Sequence, residues 1–160
     1  FACVRGGNVW GSRGSVSEIW QLRRRMNEPL LISDPDATRF HLPMDEWLTF
    51  CLRVVEEMRG GEIFIPKVRA WRLGDLADAF GSYTSTTGLR AGDKRHEILV
   101  SADEASRTVD IGWALIVQPP EELRSVMRYE PWDGPTLMAA YASDWAKRMS
   151  KAELEALVNG

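Results

Sequence analysis

Three groups of residues in this sequence carry side chains suited to binding an anionic ligand. The first is the glycine-rich stretch CVRGGNVWGSRGSV, residues 3–16; the second is Arg39; the third is Arg90 with Asp93 in the segment GLRAGDKRHE. A guanidinium group matches the geometry of a diphosphate, and a carboxylate accepts hydrogen bonds from sugar hydroxyls. The residues alone leave a second interpretation open, in which the stretch is a flexible turn and the arginines form surface salt bridges.

The glycine-rich stretch does not match a known nucleotide-binding fingerprint. Its glycines fit neither G-x-G-x-x-G nor G-x-x-x-x-G-K-[ST]. Its place is nevertheless suggestive, because ligands of α/β proteins bind where the carboxyl end of a strand leads into a helix. Backbone N–H groups there suit an anion, and Asn8 and Arg13 add side-chain donors.

The sequence offers no catalytic group and no metal site. It contains two histidines and two cysteines, too few and too scattered for a zinc centre. It has no G-x-S-x-G motif, and none of its three tyrosines is followed four residues later by lysine. Cys3 and Cys51 stand in apolar contexts, so we expect both to be buried free thiols in a reducing cytoplasm.

Composition excludes two classes of partner. The 160 residues include 44% apolar and 27% charged types, as in globular proteins, and the net charge of −3 offers no basic field for nucleic acid. The run Arg23-Arg24-Arg25 fans over about 200° of a helix and forms no single basic patch. No apolar run approaches the roughly 20 residues needed to cross a membrane.

Hydrophobic periodicity predicts an α/β protein. Helices are predicted over residues 16–26, 44–58, 73–80 and 151–158, and within residues 84–100 after a polar extended segment and a turn. Strands are predicted at residues 1–4, 30–33, 38–42 and 62–66, and twice within RTVDIGWALIVQPP. In the helix over 44–58, the predicted core face consists of Met44, Trp47, Leu48, Cys51, Leu52, Val55 and Met58. Because the chain opens inside a strand that the pattern predicts to be buried, we expect it to be part of a longer protein.

Six segments in a fixed order carry a resemblance to a known family. They are VRGGNVWGSRGSV, DPDATRFHLPMDE, GGEIFIPK, DLADAF, GLRAGDKRHE and YASDWAKRMSKAELEAL. Together they resemble the C-terminal half of the inverting UDP-N-acetylglucosamine 4,6-dehydratases, which are extended short-chain dehydrogenases/reductases of polysaccharide biosynthesis. The resemblance implies the last parallel strands of a Rossmann-type fold, interleaved over residues 1–160 with a small UDP-sugar-binding subdomain. It also implies that the NADP-binding N-terminal half is absent.

The resemblance assigns two sets of site residues. Those matching substrate contacts are Asn8, Val16, Ser33, Arg39, Arg90 and Asp93. Those matching the stretch that lines NADP are Val9, Trp10, Gly11, Ser12 and Arg13. The family's catalytic tyrosine, lysine and acid/base pair belong to its N-terminal half, so no catalytic residue is assigned here. The resemblance further implies a cytoplasmic homo-oligomer that takes a UDP-sugar.

The chain departs from the family at a few positions, and other functions stay open. Gly6 stands where the family has tyrosine, and residues 67–74 replace a proline-containing linker. One alternative is a non-catalytic UDP-sugar-binding module, since the arginine turns need no missing catalytic group. Another is a sister enzyme of the same fold, such as a UDP-sugar 4-epimerase.

Overall fold

The computed structural model describes residues 1–159, which fall into two compact units. Of these residues, unit 1 comprises Phe1–Gly6, Asp45–Lys67 and Ile98–Ala142, and unit 2 comprises Gly7–Met44, Val68–Glu97 and residues 143–159. Each unit is therefore assembled from three separate stretches of the chain.

Helices and strands alternate along the chain, which confirms the α/β class. The helices are α1 (Val16–Arg25), α2 (Met44–Glu57), α3 (Leu73–Phe80), α4 (Ala102–Ala105), α5 (Glu121–Met127) and α6 (Lys151–Asn159). The strands are β1 (Cys3–Val4), β2 (Leu30–Ile32), β3 (Thr38–Phe40), β4 (Ile63–Pro66), β5 (Ala70–Arg72), β6 (Thr84–Thr86), β7 (Ile98–Val100), β8 (Thr108–Asp110), β9 (Ala114–Val117) and β10 (Tyr141–Ala142). The predicted helix over 73–80 and the two strands within residues 107–120 are confirmed.

Unit 1 is built on a four-stranded sheet in the order β1-β4-β9-β8. The β1–β4 pair is parallel, and the β4–β9 and β8–β9 pairs are antiparallel. The prediction that β1 is a buried central strand is wrong. No described strand pairs with its other side, so it is the edge of the sheet, and both Cys3 and Val4 are exposed. Cys51 is only half-buried, so the prediction of two buried thiols is also wrong.

Helix α2 packs through a different face from the predicted one. Phe50 and Val54 are its buried residues, and they join Phe64 and Ile116 in the core of unit 1. Leu48 and other predicted core residues of this helix are exposed instead. The periodicity was ambiguous because α2 carries apolar side chains on more than one side, and only packing against the sheet selects between them.

Unit 2 contains two short two-stranded sheets around a second core. Strand β2 pairs in parallel with β6, and β3 pairs with β5 in antiparallel register. The core residues share complete or nearly complete burial and include Trp20, Leu30, Ile32, Trp71, Leu76, Phe80 and Leu154. Helices α3 and α6 contribute the last three of these, so the C-terminal helix is part of the packing of this unit.

The helix predicted near the end of residues 84–100 is absent. Residues 98–100 form strand β7 in unit 1, which pairs with β10 in antiparallel register. Its partner lies some forty residues further along the chain, so the local pattern could not indicate the pairing.

Candidate functional site

A cavity of about 510 Å³ lies in unit 2. This size is within the usual range of small-molecule sites. It is lined by all six predicted substrate-binding residues, Asn8, Val16, Ser33, Arg39, Arg90 and Asp93. Four of the five predicted cofactor residues also line it, namely Val9, Trp10, Ser12 and Arg13; Gly11 does not. Residues from three distant segments of the sequence therefore meet around one space.

The glycine-rich stretch forms a closed turn rather than an open cradle of N–H groups. Gly11 and Gly14 adopt left-handed conformations, with φ of +73° and +75°. The N–H of Gly11 donates to Ser17 Oγ, and the N–H of Gly14 donates to the carboxylate of Glu18 in the first turn of α1. Glu18 thus supplies the negative charge that a helix N-terminus favours. The turn faces the cavity with side chains, including Arg13, for which no hydrogen bond or ion pair is found among residues 1–159.

Arg39 is held on strand β3 by backbone groups and by one carboxylate. Its Nη1 donates to the carbonyl oxygens of Thr38 and Arg95, at 2.8 and 3.0 Å. Its Nε lies 3.9 Å from Glu97 Oε1. Glu97 also accepts the N–H of Phe40 at 2.8 Å. Burial raises the pKa of Glu97, and the Phe40 N–H and the Arg39 charge oppose that shift.

Arg90 and Asp93 form a self-contained turn. The N–H of Arg90 donates to Asp93 Oδ2, and the N–H of Asp93 donates to the carbonyl of Arg90, both at 3.0 Å. Gly92 takes a φ of +91° within it. These bonds use only the backbone of Arg90, and within the described part of the chain its guanidinium has no hydrogen bond or ion pair. The turn therefore presents one cation and one carboxylate oxygen to the cavity.

An aromatic wall, formed by Trp10, His41 and Trp71, completes the cavity. The Trp10 ring meets the other two edge-on, with centroid distances of 5.8 Å to His41 and 6.5 Å to Trp71. Burial, and secondarily the charge of Arg69, lowers the pKa of His41, so the ring is neutral at pH 7. Sequence reasoning did not assign His41 and Trp71 to the site. His41 lies in the segment DPDATRFHLPMDE but was not singled out there, and Trp71 lies in none of the six segments; the pairing of β3 with β5, in which Trp71 stands opposite Arg39, brings Trp71 to the site.

Two features are not found among the described residues. Among residues 1–159, no group of three or more His, Cys, Asp or Glu side chains is placed to hold a metal ion. None of the described helices has the length and apolar character to span a membrane. The arrangement as it stands can bind an anion beside a flat apolar surface.

The sequence has relatives among enzymes that act on UDP-sugars. Residues 1–119 match the family described as polysaccharide biosynthesis protein. Two proteins of Campylobacter jejuni named UDP-N-acetylglucosamine 4,6-dehydratase (inverting) are 37% and 41% identical over 126 and 113 residues. These matches cover 77% and 69% of this chain but only 38% and 34% of the relatives. A UDP-glucose 4-epimerase of Rickettsia canadensis is 35% identical over 117 residues, which is 69% of this chain and 34% of that protein.

Solved structures share the fold. The X-ray structure of Pen from Bacillus thuringiensis superposes with a TM-score of 0.85 at 27% identity, covering 99% of this chain and 49% of that one. UDP-glucose 4-epimerase from Thermotoga maritima gives a TM-score of 0.54 at 15% identity, covering 99% and 44%. These likenesses confirm the predicted short-chain dehydrogenase/reductase type of fold. This chain belongs to the polysaccharide biosynthesis protein family, and it spans about half or less of the length of the relatives it matches.

Proposed function

We propose that unit 2 binds a UDP-sugar, specifically UDP-N-acetylglucosamine, in the cavity of about 510 Å³. The observation that carries this proposal is the placement of Arg39, Arg90 and Asp93 around one cavity, with the guanidinium group of Arg90 unpaired within residues 1–159. An unpaired guanidinium group facing the cavity suits a diphosphate, because its planar donors match phosphate oxygens.

Each predicted residue has a role in this proposal. Arg39 and Arg90 bind the diphosphate. Asp93 uses one carboxylate oxygen within the turn, and its other oxygen accepts a hydrogen bond from a ribose hydroxyl. Asn8 offers an amide to the sugar. Val16 and Ser33 complete the wall around it.

We further propose that the chain is the substrate-binding half of an NADP-dependent, C5-inverting UDP-N-acetylglucosamine 4,6-dehydratase. The two Campylobacter jejuni relatives support this assignment. On this proposal the NADP-binding half and its catalytic groups lie outside the 160 residues, and the enzyme is a cytoplasmic homo-oligomer. This chain holds and orients the sugar nucleotide and supplies no proton-transfer group.

The predicted cofactor residues fit part of a nicotinamide dinucleotide. Val9 and Trp10 give an apolar surface for a flat ring, and the unpaired cation of Arg13 suits a phosphate. Ser12 Oγ is bonded to the carbonyl of Val9 at 2.8 Å, so it stabilises the turn that places these side chains. Val9, Trp10 and Arg13 would hold this part of NADP, whose chemistry would be reversible hydride transfer with the sugar.

A product analysis tests the reaction. The chain is joined to the N-terminal half of one Campylobacter jejuni relative, and the product from UDP-N-acetylglucosamine is identified by NMR. A 4-keto-6-deoxy sugar with inverted C5 supports the assignment. A fusion that binds the sugar nucleotide but makes no 4-keto product contradicts it.

The same experiment addresses a second function. Several relatives are named UDP-glucose 4-epimerase, among them proteins of Rickettsia canadensis and Rickettsia felis at 35% and 36% identity. An epimerised sugar with its C6 hydroxyl retained would support that function instead. Binding of the UDP-sugar by the 160-residue chain without any reaction in the fusion would favour a non-catalytic binding module.

A further inference from the structure

One fully buried hydroxyl group in unit 2 joins two segments that carry the proposed diphosphate ligands. Ser143 has a relative exposure of 0%. Its Oγ donates to the carbonyl oxygen of Thr38 at 3.0 Å and accepts the backbone N–H of Glu97 at 2.9 Å. The backbone N–H of Ser143 in turn donates to the carbonyl oxygen of Glu97 at 2.8 Å. No residue near Ser143 in the sequence belongs to the site.

Both partners of this hydroxyl, Thr38 and Glu97, lie close in the sequence to proposed ligand-binding residues. Thr38 directly precedes Arg39 on β3, and Glu97 follows Asp93 by four residues. The segment after the Arg90–Asp93 turn also lies directly against β3, since the N–H of Thr38 donates to the carbonyl of Arg95 at 2.9 Å. Ser143 therefore links strand β3, which carries Arg39, to the segment that follows the Arg90–Asp93 turn.

The hydrogen atoms of the cluster can be assigned so that every hydroxyl is used. With Ser143 donating to the carbonyl of Thr38, the Thr38 hydroxyl is the donor in the 2.6 Å contact between Thr38 Oγ1 and Ser143 Oγ. Thr38 Oγ1 then accepts from His96 Nδ1, 2.8 Å away, with the proton on that nitrogen. The Ser143 hydroxyl makes all its bonds and is fully buried, so it holds the two backbone segments that it joins closely.

We propose that Ser143 is a positioning residue for the diphosphate site, because its bridging hydroxyl sets the separation between the Arg39 strand and the Arg90–Asp93 turn. The inference rests on the proposed function of unit 2. It adds a residue that contacts no ligand and that lies 105 positions from Thr38 in the sequence.

The test is a double-mutant cycle on UDP affinity, measured by calorimetric titration of the 160-residue chain. Ser143→Ala removes the oxygen that makes three hydrogen bonds in this cluster, and it is expected to weaken UDP binding about tenfold. Once Arg39 is removed, the alignment of its strand no longer matters for the phosphate. In the Arg39→Ala background, Ser143→Ala is therefore expected to cause little further loss.

Two variants separate positioning from general stability. Thr38→Val removes a buried hydroxyl of the same cluster but keeps the Ser143 bridge, so its UDP affinity should stay within about twofold of wild type. Ser143→Cys fills the same space with a weak hydrogen-bonding group and replaces the alanine variant if that variant does not fold. Thermal unfolding of each variant establishes that it is folded before titration.

The outcomes distinguish the positioning role of Ser143 from the proposal that unit 2 binds a UDP-sugar. If Arg39→Ala weakens UDP binding but Ser143→Ala does not, or if their effects simply add, the positioning role is overturned and the binding proposal stands. If Thr38→Val loses as much affinity as Ser143→Ala, the cluster stabilises the fold and the bridge has no special role. If the folded wild-type chain does not bind UDP, both are overturned.

Discussion

Arg5 of unit 1 and Arg90 of unit 2 are arginines in opposite situations, although unit 2 also contains ion-paired arginines such as Arg72 and Arg95. In unit 1, Arg5 donates to both carboxylate oxygens of Glu104, at 2.8 and 2.9 Å, and to the carbonyl of Leu99 at 2.8 Å. Arg53 and Arg59 of the same unit lie over tryptophan rings, 4.1 and 3.9 Å from the centroids. In unit 2, the hydrogen bonds of the Arg90–Asp93 turn involve only the backbone of Arg90, and its guanidinium group pairs with no described residue.

The difference separates structural cations from available ones. A guanidinium with a bidentate carboxylate partner stabilises the fold, and its charge and two of its five donors are already engaged. A solvated guanidinium beside a cavity adds little to stability but is ready to bind phosphate. The comparison therefore predicts that substitutions in the first group change the free energy of unfolding, and that those in the second change affinity.

Arg5→Ala tests the structural side and has the largest expected effect. Removing this partner leaves the largely enclosed carboxylate of Glu104 with only the longer ion pair to Arg107, 3.8 Å away, which should lower the free energy of unfolding by about 2 kcal/mol. Urea denaturation measures the loss. Lys151→Ala, which breaks an exposed pair with Glu155, is the control and should change stability by less than about 1 kcal/mol. Equal losses in the two variants would contradict the distinction.

Gly7→Ala tests how tightly the backbone packs against the strand that carries Arg39. A Cβ atom at this position would lie 2.7 Å from the Cβ of Phe40, which is fully buried and cannot move away freely. Overpacking of this kind is expected to destabilise the chain by about 1–3 kcal/mol. It should also weaken UDP binding, because Phe40 adjoins Arg39. Unchanged thermal stability would contradict this prediction, because it would show that strand β3 can shift away from the added Cβ atom at no cost.

The pH dependence of the free energy of unfolding tests the Arg5–Glu104 ion pair. The hydrogen bonds from its guanidinium lower the pKa of Glu104 to about 2, from an ordinary value near 4.5. A carboxyl whose pKa is lower in the folded state stabilises the fold above the unfolded value and loses that contribution as pH falls towards the folded value. The stability advantage of the wild type over Glu104→Gln should therefore shrink by about 1 kcal/mol between about pH 5 and pH 3, allowing for solvent screening. A constant difference across that range would contradict the assignment.

Local patterns predicted some elements well and failed for others. Helix α3 was predicted with its bounds because its apolar spacing is regular and Gly81 follows it in a left-handed conformation. Strand β7 was mistaken for a helix because Ile98, Leu99 and Val100 are apolar in either structure. Their antiparallel pairing with residues 141 and 142 is a long-range contact that no local window contains.

The candidate site was predictable only in part, and for a similar reason. Arg39, Arg90 and Asp93 stand in turn-forming segments whose residue types already suit a diphosphate and a sugar. Ser143 carries no such signal. Its surroundings are created when β3 and the segment ending at Glu97 come together, so a buried serine in this sequence looks like any other until the fold is known.

The most direct test of the comparison is calorimetric titration of the wild-type chain and Arg90→Ala with UDP. Arg25→Ala is the matched control, since Arg25 is an exposed arginine on α1 and does not line the cavity. We predict that Arg90→Ala weakens UDP binding about 10- to 100-fold, as expected for a charge-assisted contact, and leaves thermal stability unchanged. Arg25→Ala should bind UDP as the wild type does. Equal affinity of the wild type and Arg90→Ala, or an equal loss in both variants, would contradict the claim that unit 2 keeps this arginine free for a ligand.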